Sequence, residues 1–145
     1  MSSAAAEIRQ AVNGRNPLIY LHSPEEGRVV DIVTSLAEEM VGDRCAVHEW
    51  SCVSGFGRGF PSESDTCDPV EALRAALHFE GDAFFVMKDL PVFFDQPAVV
   101  RALRDVYHGL ADTAGTVVFL LSPTIVVPEI LEKELYLIHV LPPDE

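Results

Sequence analysis

Leu18-Ile19-Tyr20-Leu21, followed by His22-Ser23-Pro24-Glu25-Glu26-Gly27-Arg28, begins as a buried strand and turns into a long amphipathic helix. In nucleotide-binding α/β domains, the first turn of this kind uses glycines, a Lys and a Ser or Thr to hold phosphate and Mg²⁺. Here Pro24 removes one N–H donor, and the carboxylates of Glu25 and Glu26 repel a polyphosphate. The turn therefore predicts that phosphate is not bound tightly at this point.

The same residues have the pattern of a helix start. Ser23 is predicted to be the N-cap, Pro24 the first helical residue, and Glu26 the residue that closes a capping box. In such a box, side-chain oxygens accept from the N–H donors of the helix N-terminus that a phosphate would otherwise take. Gly42 is expected to end this helix, and Asp68-Pro69-Val70-Glu71 predicts a second capping box.

Strands and helices alternate along the rest of the chain, and the middle strands are apolar throughout. This pattern predicts an α/β fold, a three-layer sandwich with a five-stranded, mainly parallel sheet and right-handed crossovers. The predicted strands are Pro17–Leu21, Cys45–Trp50, Ala83–Met87, Thr116–Leu121 and Tyr136–Val140. Helices are predicted at Ala4–Val12, from Ser23 to Gly42, from Asp68 to Gly81, from Pro97 through Leu110, and from Pro128 to about Glu134.

The composition excludes several classes of partner. The formal net charge is −13, and no basic stripe is present, which disfavours nucleic acids and anionic membrane surfaces. No apolar run is long enough to span a bilayer, and the N-terminal residues lack the pattern of a signal peptide. Three cysteines in a chain of 145 residues fit a reducing compartment, so we expect a cytoplasmic protein.

Weak candidates for a nucleotide site lie at the predicted carboxyl edge of the sheet, where ligands of parallel α/β folds bind. They are Ser23, Asp89 and Ser122. Asp89 follows a central strand, as does the Mg²⁺-holding acid of P-loop enzymes, but it lacks a following Glu to polarise water. The competing interpretation makes Asp89 a cap or turn carboxylate paired with Lys88.

A metal site built from Cys45, His48 and Cys52 is disfavoured. Cys45 and His48 are three residues apart on a predicted strand and so point to opposite faces, and no second pair completes a tetrahedral site. Cys67 stands beside the helix start at Asp68, which could lower its pKa, but no histidine is paired with it. Structural thiols are therefore favoured over a catalytic one.

The stretch Ser51–Cys67 is predicted to be a long polar loop. Its Gly57-Arg58-Gly59 could form an anion nest, but the loop does not lead directly from a strand into a helix start. A flexible loop or a contact surface is the favoured interpretation. Arg101 and Arg104 lie three residues apart on one helix, where a salt-bridged or solvated face is favoured over an arginine finger.

Together these segments resemble a family of AAA+ ATPases found in cyanobacteria, plastid genomes and other bacteria and related to the CbxX/CfxQ ATPases. The resemblance covers nearly the whole chain in order, and its later segments are the most specific. It differs at Ile130 and in the loop Ser51–Cys67, which does not align. The segments that carry it are Pro17-Leu18-Ile19-Tyr20-Leu21, Ser23-Pro24-Glu25-Glu26, Phe85-Val86-Met87-Lys88-Asp89-Leu90, Leu120-Leu121-Ser122-Pro123, Val127-Pro128-Glu129, Leu131-Glu132-Lys133-Glu134 and Leu141-Pro142-Pro143.

The resemblance implies that residues 1–145 form one N-terminal domain with a degenerate P-loop NTPase-like (RecA-like) fold that lacks a Walker A motif. In such proteins the true ATPase module comes after this domain, so we expect the chain to be truncated before a C-terminal AAA+ module. No cofactor is expected for this chain, because ATP and Mg²⁺ would bind to the missing module. The family's nucleotide-binding residues lie in that module and cannot be carried over.

The residues and the resemblance lead to three functional hypotheses. The first is a non-catalytic binding or regulatory domain that packs against the AAA+ module or recruits a protein partner, and a homo-oligomer is conceivable in the context of the full-length protein. The second is a weak nucleotide-binding domain without hydrolysis, using Ser23, Asp89 and Ser122. The third is a small thiol-dependent enzyme using Cys67 or Cys52.

Overall fold

The computed structural model describes residues 3–42, 45–62, 65–113 and 115–142, and within them five strands form one fully parallel sheet. The sheet order is β2-β3-β4-β1-β5, so the first strand lies between the fourth and the fifth. The strands are β1 (Leu18–His22), β2 (Ala46–Trp50), β3 (Ala83–Lys88), β4 (Thr116–Ser122) and β5 (Tyr136–His139).

Four α-helices cover the sheet in two layers. They are α1 (Ser3–Asn13), α2 (Glu26–Met40), α3 (Pro69–Leu77) and α4 (Pro97–Leu110). Successive strand residues face opposite sides, so Tyr20 and Phe85 pack under α3 and α4, whereas Ile19 and Phe84 pack under α1 and α2. All of β4 is buried, as its apolar sequence predicts. The predicted three-layer α/β class with a five-stranded parallel sheet is confirmed.

The predicted capping box at the start of α2 is wrong. The helix begins at Glu26, Glu25 takes the N-cap position, and no side chain caps the helix. The Ser23 hydroxyl instead accepts a hydrogen bond from the Glu25 N–H (3.0 Å). This bond closes a tight turn just before the helix rather than capping the helix itself. The Glu25 carboxylate pairs with Arg28 at 3.2 Å. At the other end, Gly42 ends the helix as predicted, with a φ of 101°.

Of the second predicted capping box, at the start of α3, only the N-cap is confirmed. Asp68 caps α3, because its carboxylate accepts a hydrogen bond from the Val70 N–H at 2.9 Å, and Pro69 follows it. Glu71 does not return to the cap and pairs instead with Arg74 at 3.1 Å. The helix stops at Leu77, four residues before the predicted end at Gly81.

The predicted helix from Pro128 to about Glu134 is also wrong, since only a single 3₁₀ turn forms, at Glu129–Leu131. The Leu131 side chain is fully buried in the core on the α3/α4 side of the sheet. Its burial holds the segment around the 3₁₀ turn in place, although no longer helix forms there. No helix in the described ranges is both long enough and apolar enough to cross a membrane.

Candidate functional site

The three candidate residues of the sheet edge do lie close together. The Ser23 N–H donates to the Ser122 carbonyl (3.0 Å), which joins the ends of β1 and β4. The Asp89 N–H donates to the Leu121 carbonyl (2.8 Å), which brings in the end of β3. The strand order therefore assembles at one edge three residues that are far apart in sequence.

Both serine hydroxyls at this edge are already engaged. Ser23 is 1% exposed and its hydroxyl accepts from the Glu25 N–H, while Ser122 is 2% exposed and its hydroxyl accepts from the Thr124 N–H (3.2 Å). Asp89 is exposed and has a left-handed backbone (φ 61°) at the start of the 3₁₀ turn Leu90–Phe93. Only the Asp89 side chain therefore faces solvent, and it carries a negative charge.

The cation nearest this edge is held by carboxylates. The Lys88 ammonium lies 2.8 Å from the Glu49 carboxylate and 4.0 Å from that of Glu26. The hydrogen bond to Glu49 raises the pKa of Lys88, and the negative charges of Glu49, Glu26 and Asp89 raise it as well. Partial burial of the ammonium acts in the opposite direction. Lys88 on β3 thus forms its salt bridges with Glu49 and Glu26, and not with Asp89 as predicted.

A histidine pair that the sequence did not reveal lies beside this edge. His22 and His139 are register partners on β1 and β5, and their Nδ1 atoms are 3.0 Å apart. The His22 Nε2 lies 3.1 Å from the Pro123 carbonyl, which must accept its proton, so the His22 Nδ1 accepts from His139. Only the strand pairing brings these histidines together, because they are 117 residues apart.

The loop Ser51–Cys67 is exposed over most of its described part, as its polar sequence predicts, but a few of its residues anchor it to the domain. Phe56 is 8% exposed, and its N–H donates to the Thr66 hydroxyl (3.1 Å). The Trp50 indole N–H donates to the Thr66 carbonyl. Gly57, Arg58 and Gly59 are exposed, so a contact role for this tip stays a prediction.

Four phenylalanine rings surround His48 beneath this loop. Its imidazole stacks on Phe85 with the ring centroids 5.5 Å apart, and Phe56, Phe60 and Phe79 approach it edge-on. The His48 Nε2 is buried and has no hydrogen-bond partner among the described residues, and burial lowers the pKa of this imidazole. Sequence patterning missed this cluster because its rings come from β2, the loop, the end of α3 and β3.

Replacing His48 with phenylalanine is expected to raise the free energy of unfolding by about 1 kcal/mol at neutral pH, because the substitution removes a buried nitrogen without a partner. A lowered pKa means that the unfolded chain binds the proton more readily. The native protein therefore loses stability as the pH falls below about 6.5. Urea unfolding measured from pH 7.5 to pH 5 should show a smaller fall in the free energy of unfolding for His48→Phe than for the unsubstituted protein. The control is His108→Phe, on the exposed face of α4, which should behave like the unsubstituted protein.

The surroundings of Cys67 and Cys45 do not activate these thiols. The predicted lowering of the Cys67 pKa is wrong: desolvation and the Asp65 carboxylate raise it, and the thiol donates to the Val53 carbonyl at 3.5 Å. Burial raises the pKa of Cys45 to about 11. Cys45 packs on the α1/α2 side and His48 on the other, as predicted, and no cluster of metal-ligating side chains is found within the described residues.

The arginines of α4 form the salt-bridged face that was predicted. Arg101 pairs with Asp105 at 2.7 Å on the helix surface. Arg104 reaches Glu134 at 3.8 Å, where the Glu134 side chain is only 12% exposed. This second pair fixes the segment after the 3₁₀ turn Glu129–Leu131 against α4.

Comparison with known proteins identifies relatives over nearly the full length of the chain. A family model described as the N-terminal domain of SpoVK-like AAA ATPases matches residues 4–140. The chain is 24% identical over 141 residues to an uncharacterized AAA domain-containing protein, ycf46, of Guillardia theta. That match covers 94% of this chain and 27% of the relative, so the chain spans about a quarter of the length of that protein.

A solved structure of Drosophila ORC bound to AT-rich DNA and Cdc6 contains a chain with a more distant likeness. The likeness has a TM-score of 0.46 and 13% identity, and it covers 94% of this chain and 52% of that one. It is too low to support an argument about function.

Proposed function

Because this chain belongs to the family of SpoVK-like AAA ATPase N-terminal domains, we propose that it is a non-catalytic binding or regulatory domain and that ATP and Mg²⁺ bind to an AAA+ module outside it. In this proposal residues 1–145 are one domain of a longer protein, and homo-oligomers form in that full-length context. The free thiols of Cys45, Cys52 and Cys67 support a cytoplasmic location.

The observation that carries the proposal is the chemistry of the sheet edge. A nucleotide site needs free backbone N–H groups and a cation directed at the phosphates. Here the Ser23 and Ser122 hydroxyls are engaged in turns, and the Lys88 charge is shared between Glu49 and Glu26. The turn before α2 lacks the glycines and the Lys of a Walker A motif. A polyphosphate brought to this edge would meet carboxylates.

The net charge supports a protein as the partner. At −13, the chain repels nucleic acids and anionic surfaces and attracts basic or neutral proteins. The alternative function, a weak nucleotide-binding domain without hydrolysis, is favoured only by the convergence of Ser23, Asp89 and Ser122 at one edge. No observation favours a thiol-dependent enzyme.

Saturating ATP with Mg²⁺ is expected to leave the melting temperature of the 145-residue chain unchanged within about 1 °C. A ligand at one hundred times its dissociation constant would add about 2.7 kcal/mol of stability, which raises the melting temperature of a domain of this size by several degrees. Scanning fluorimetry with ATP–Mg²⁺, Mg²⁺ alone and no addition measures the difference.

A shift of several degrees that Ser122→Ala abolishes would replace the proposal with the nucleotide-binding alternative. The Ser122→Ala variant must first unfold cooperatively without nucleotide. A shift that the variant retains would also contradict the proposal and would place the nucleotide away from this edge.

A further inference from the structure

The exposed apolar side chains of this domain are concentrated in its last quarter. Of the eight large apolar residues exposed in the described part of the chain, six lie between residues 125 and 141. The remaining two, Val53 and Val92, lie in separate parts of the sequence. Scattered exposed apolar residues are ordinary, but a contiguous group indicates an interaction site.

Five of the six lie on the same side of the sheet. Ile138 and Val140 pack into the core under α1 and α2, so the strand alternation directs Leu137 and Leu141 to the opposite side. The Tyr20 hydroxyl binds the backbone of Thr124 and Val126 on that side, and Tyr20 is the register partner of Leu137. The backbone of Thr124 and Val126 therefore lies on the same side of the sheet as Leu137. The β5 surface consists of Ile125, Val126, Ile130, Leu137 and Leu141, and the exposed His139 lies between the last two.

Ile130 extends this surface towards α4. It lines a shallow groove together with Phe94, Pro97, Val100 and Pro128. The buried neighbour Leu131 and the pair between Arg104 and Glu134 hold this part of the chain against α4. The β5 surface is thus preformed, and binding to it requires little ordering of the backbone.

The described residues leave this side of β5 without a covering layer. Parallel strands of α/β domains are normally covered on both faces. The helix α1 contacts β5 on one face of the sheet. On the other face, α3 and α4 pack against the central strands, and the segment around Thr124–Val126 covers β1. Beyond that segment Leu137 is 37% exposed and Leu141 is 55% exposed. A partner on this side would complete the layer.

We infer that the β5 surface is the docking site for the AAA+ module of the same polypeptide; this inference rests on the proposed function. In a family whose matched region is an N-terminal domain, a C-terminal module is joined to the chain just beyond β5 and Leu141, so the module is tethered at the edge of this surface. A short tether gives an effective concentration in the millimolar range, which makes a modest apolar contact sufficient.

Charges around the β5 surface indicate the chemistry of the matching face. Glu129, Glu132 and Lys133 are exposed beside Ile130, and Asp95, Arg101 and Arg104 line the same groove, so acidic and basic groups border this surface in equal number. Interfaces commonly surround an apolar centre with a polar rim of complementary charge. The module should therefore present an apolar patch bordered by both acidic and basic side chains.

The test compares amide hydrogen exchange in the 145-residue chain with exchange in the natural polypeptide that carries the AAA+ module. Peptides covering residues 124–141 should exchange at least about tenfold more slowly in the longer polypeptide. Leu137→Glu should remove this protection, and Val53→Glu, at a position 84% exposed, should retain it. Both variants are first checked for an unchanged melting temperature in the 145-residue chain; if Leu137→Glu unfolds, Ile130→Glu, at a position 54% exposed, replaces it.

Equal exchange in the two proteins would overturn the inference, as would a stop codon directly after Glu145. Sedimentation equilibrium provides a further check: a dimer of the 145-residue chain that Leu137→Glu dissociates would assign the surface to a second copy and would also overturn it. These outcomes are independent of the ATP titration, because a nucleotide-induced shift in melting temperature would contradict the proposed function without changing the protection of β5.

Discussion

Replacing Trp50 with alanine is expected to lower the free energy of unfolding by about 3–5 kcal/mol, the range found for large aromatic residues in cores. Trp50 is the last residue of β2 and is 1% exposed, and its ring lies 6.3 Å from that of Phe93. Its indole N–H also donates to the Thr66 carbonyl at the far end of the loop. The substitution therefore removes a core side chain and a loop anchor together.

Trp50→Phe separates these two contributions. Phenylalanine keeps much of the buried ring but leaves the Thr66 carbonyl without its indole donor, so we expect a smaller loss of about 1–2 kcal/mol. Denaturant unfolding should be followed by far-ultraviolet circular dichroism, because Trp50 is the only tryptophan of the chain. Val53→Ala, at an exposed position, should change stability by less than about 0.5 kcal/mol. A Trp50→Ala loss no larger than this control would contradict the burial of Trp50 and its anchoring of the loop at Thr66.

The sheet was predictable because its central strands consist of continuous runs of apolar residues. Ala83–Met87 and Thr116–Leu121 carry no polar residue apart from Thr116, and such runs fit strands covered on both faces. Alternation with amphipathic helices then leaves a parallel α/β sandwich as the expected result. Predicted strand ends were one residue off or less, since a strand boundary depends on backbone pairing that the side-chain pattern does not record.

Local helix signals were less reliable than these runs. Ser23 has the right neighbours for a capping box, but its backbone N–H donates to the Ser122 carbonyl on β4 and is not available to the Glu26 carboxylate. The Ser23 hydroxyl accepts from the Glu25 N–H, and the helix begins at Glu26. Tertiary pairing thus overrides a capping pattern that is worth about 1 kcal/mol on its own.

The loop between β2 and α3 could not be predicted because its anchors are non-local. Phe56 and Phe60 are separated by glycines and look like isolated apolar residues in a polar stretch. Their partners Phe85 and Phe79 come from β3 and from the end of α3. Only the strand order brings these rings around His48, so no window of sequence contains the cluster.

The candidate site was predicted in its position and not in its chemistry. The rule that ligands bind at the carboxyl ends of parallel strands places Ser23, Asp89 and Ser122 together, as the structure does. Whether the hydroxyls are free depends on hydrogen bonds to residues two positions further along, and these are set by turn conformation. Likewise, the partners of Lys88 come from β2 and α2, which the sequence does not place beside it.

Replacing Tyr20 with phenylalanine is expected to lower the free energy of unfolding by about 1–3 kcal/mol, although the substitution removes a single oxygen atom. The buried Tyr20 hydroxyl donates to the Thr124 carbonyl (2.6 Å) and accepts from the Val126 N–H (3.0 Å). Without it, two backbone groups above β1 lose their partner. The segment that carries Ile125 and Val126 is then held only by its flanks, so amide exchange at Val126 should accelerate by more than the global loss of stability explains.

The matched control is Tyr136→Phe on the adjacent strand β5, where the side chain is 41% exposed and water can replace a lost contact. It should change stability by less than about 0.5 kcal/mol and leave the exchange of Val126 unchanged. Equal effects of the two substitutions would show that the Tyr20 hydroxyl does not organise this segment. If the Tyr20 effect is found, the β5 surface owes its shape to a buried hydroxyl on β1, and Tyr20→Phe becomes a way to weaken docking at this surface while every exposed side chain on it is left in place.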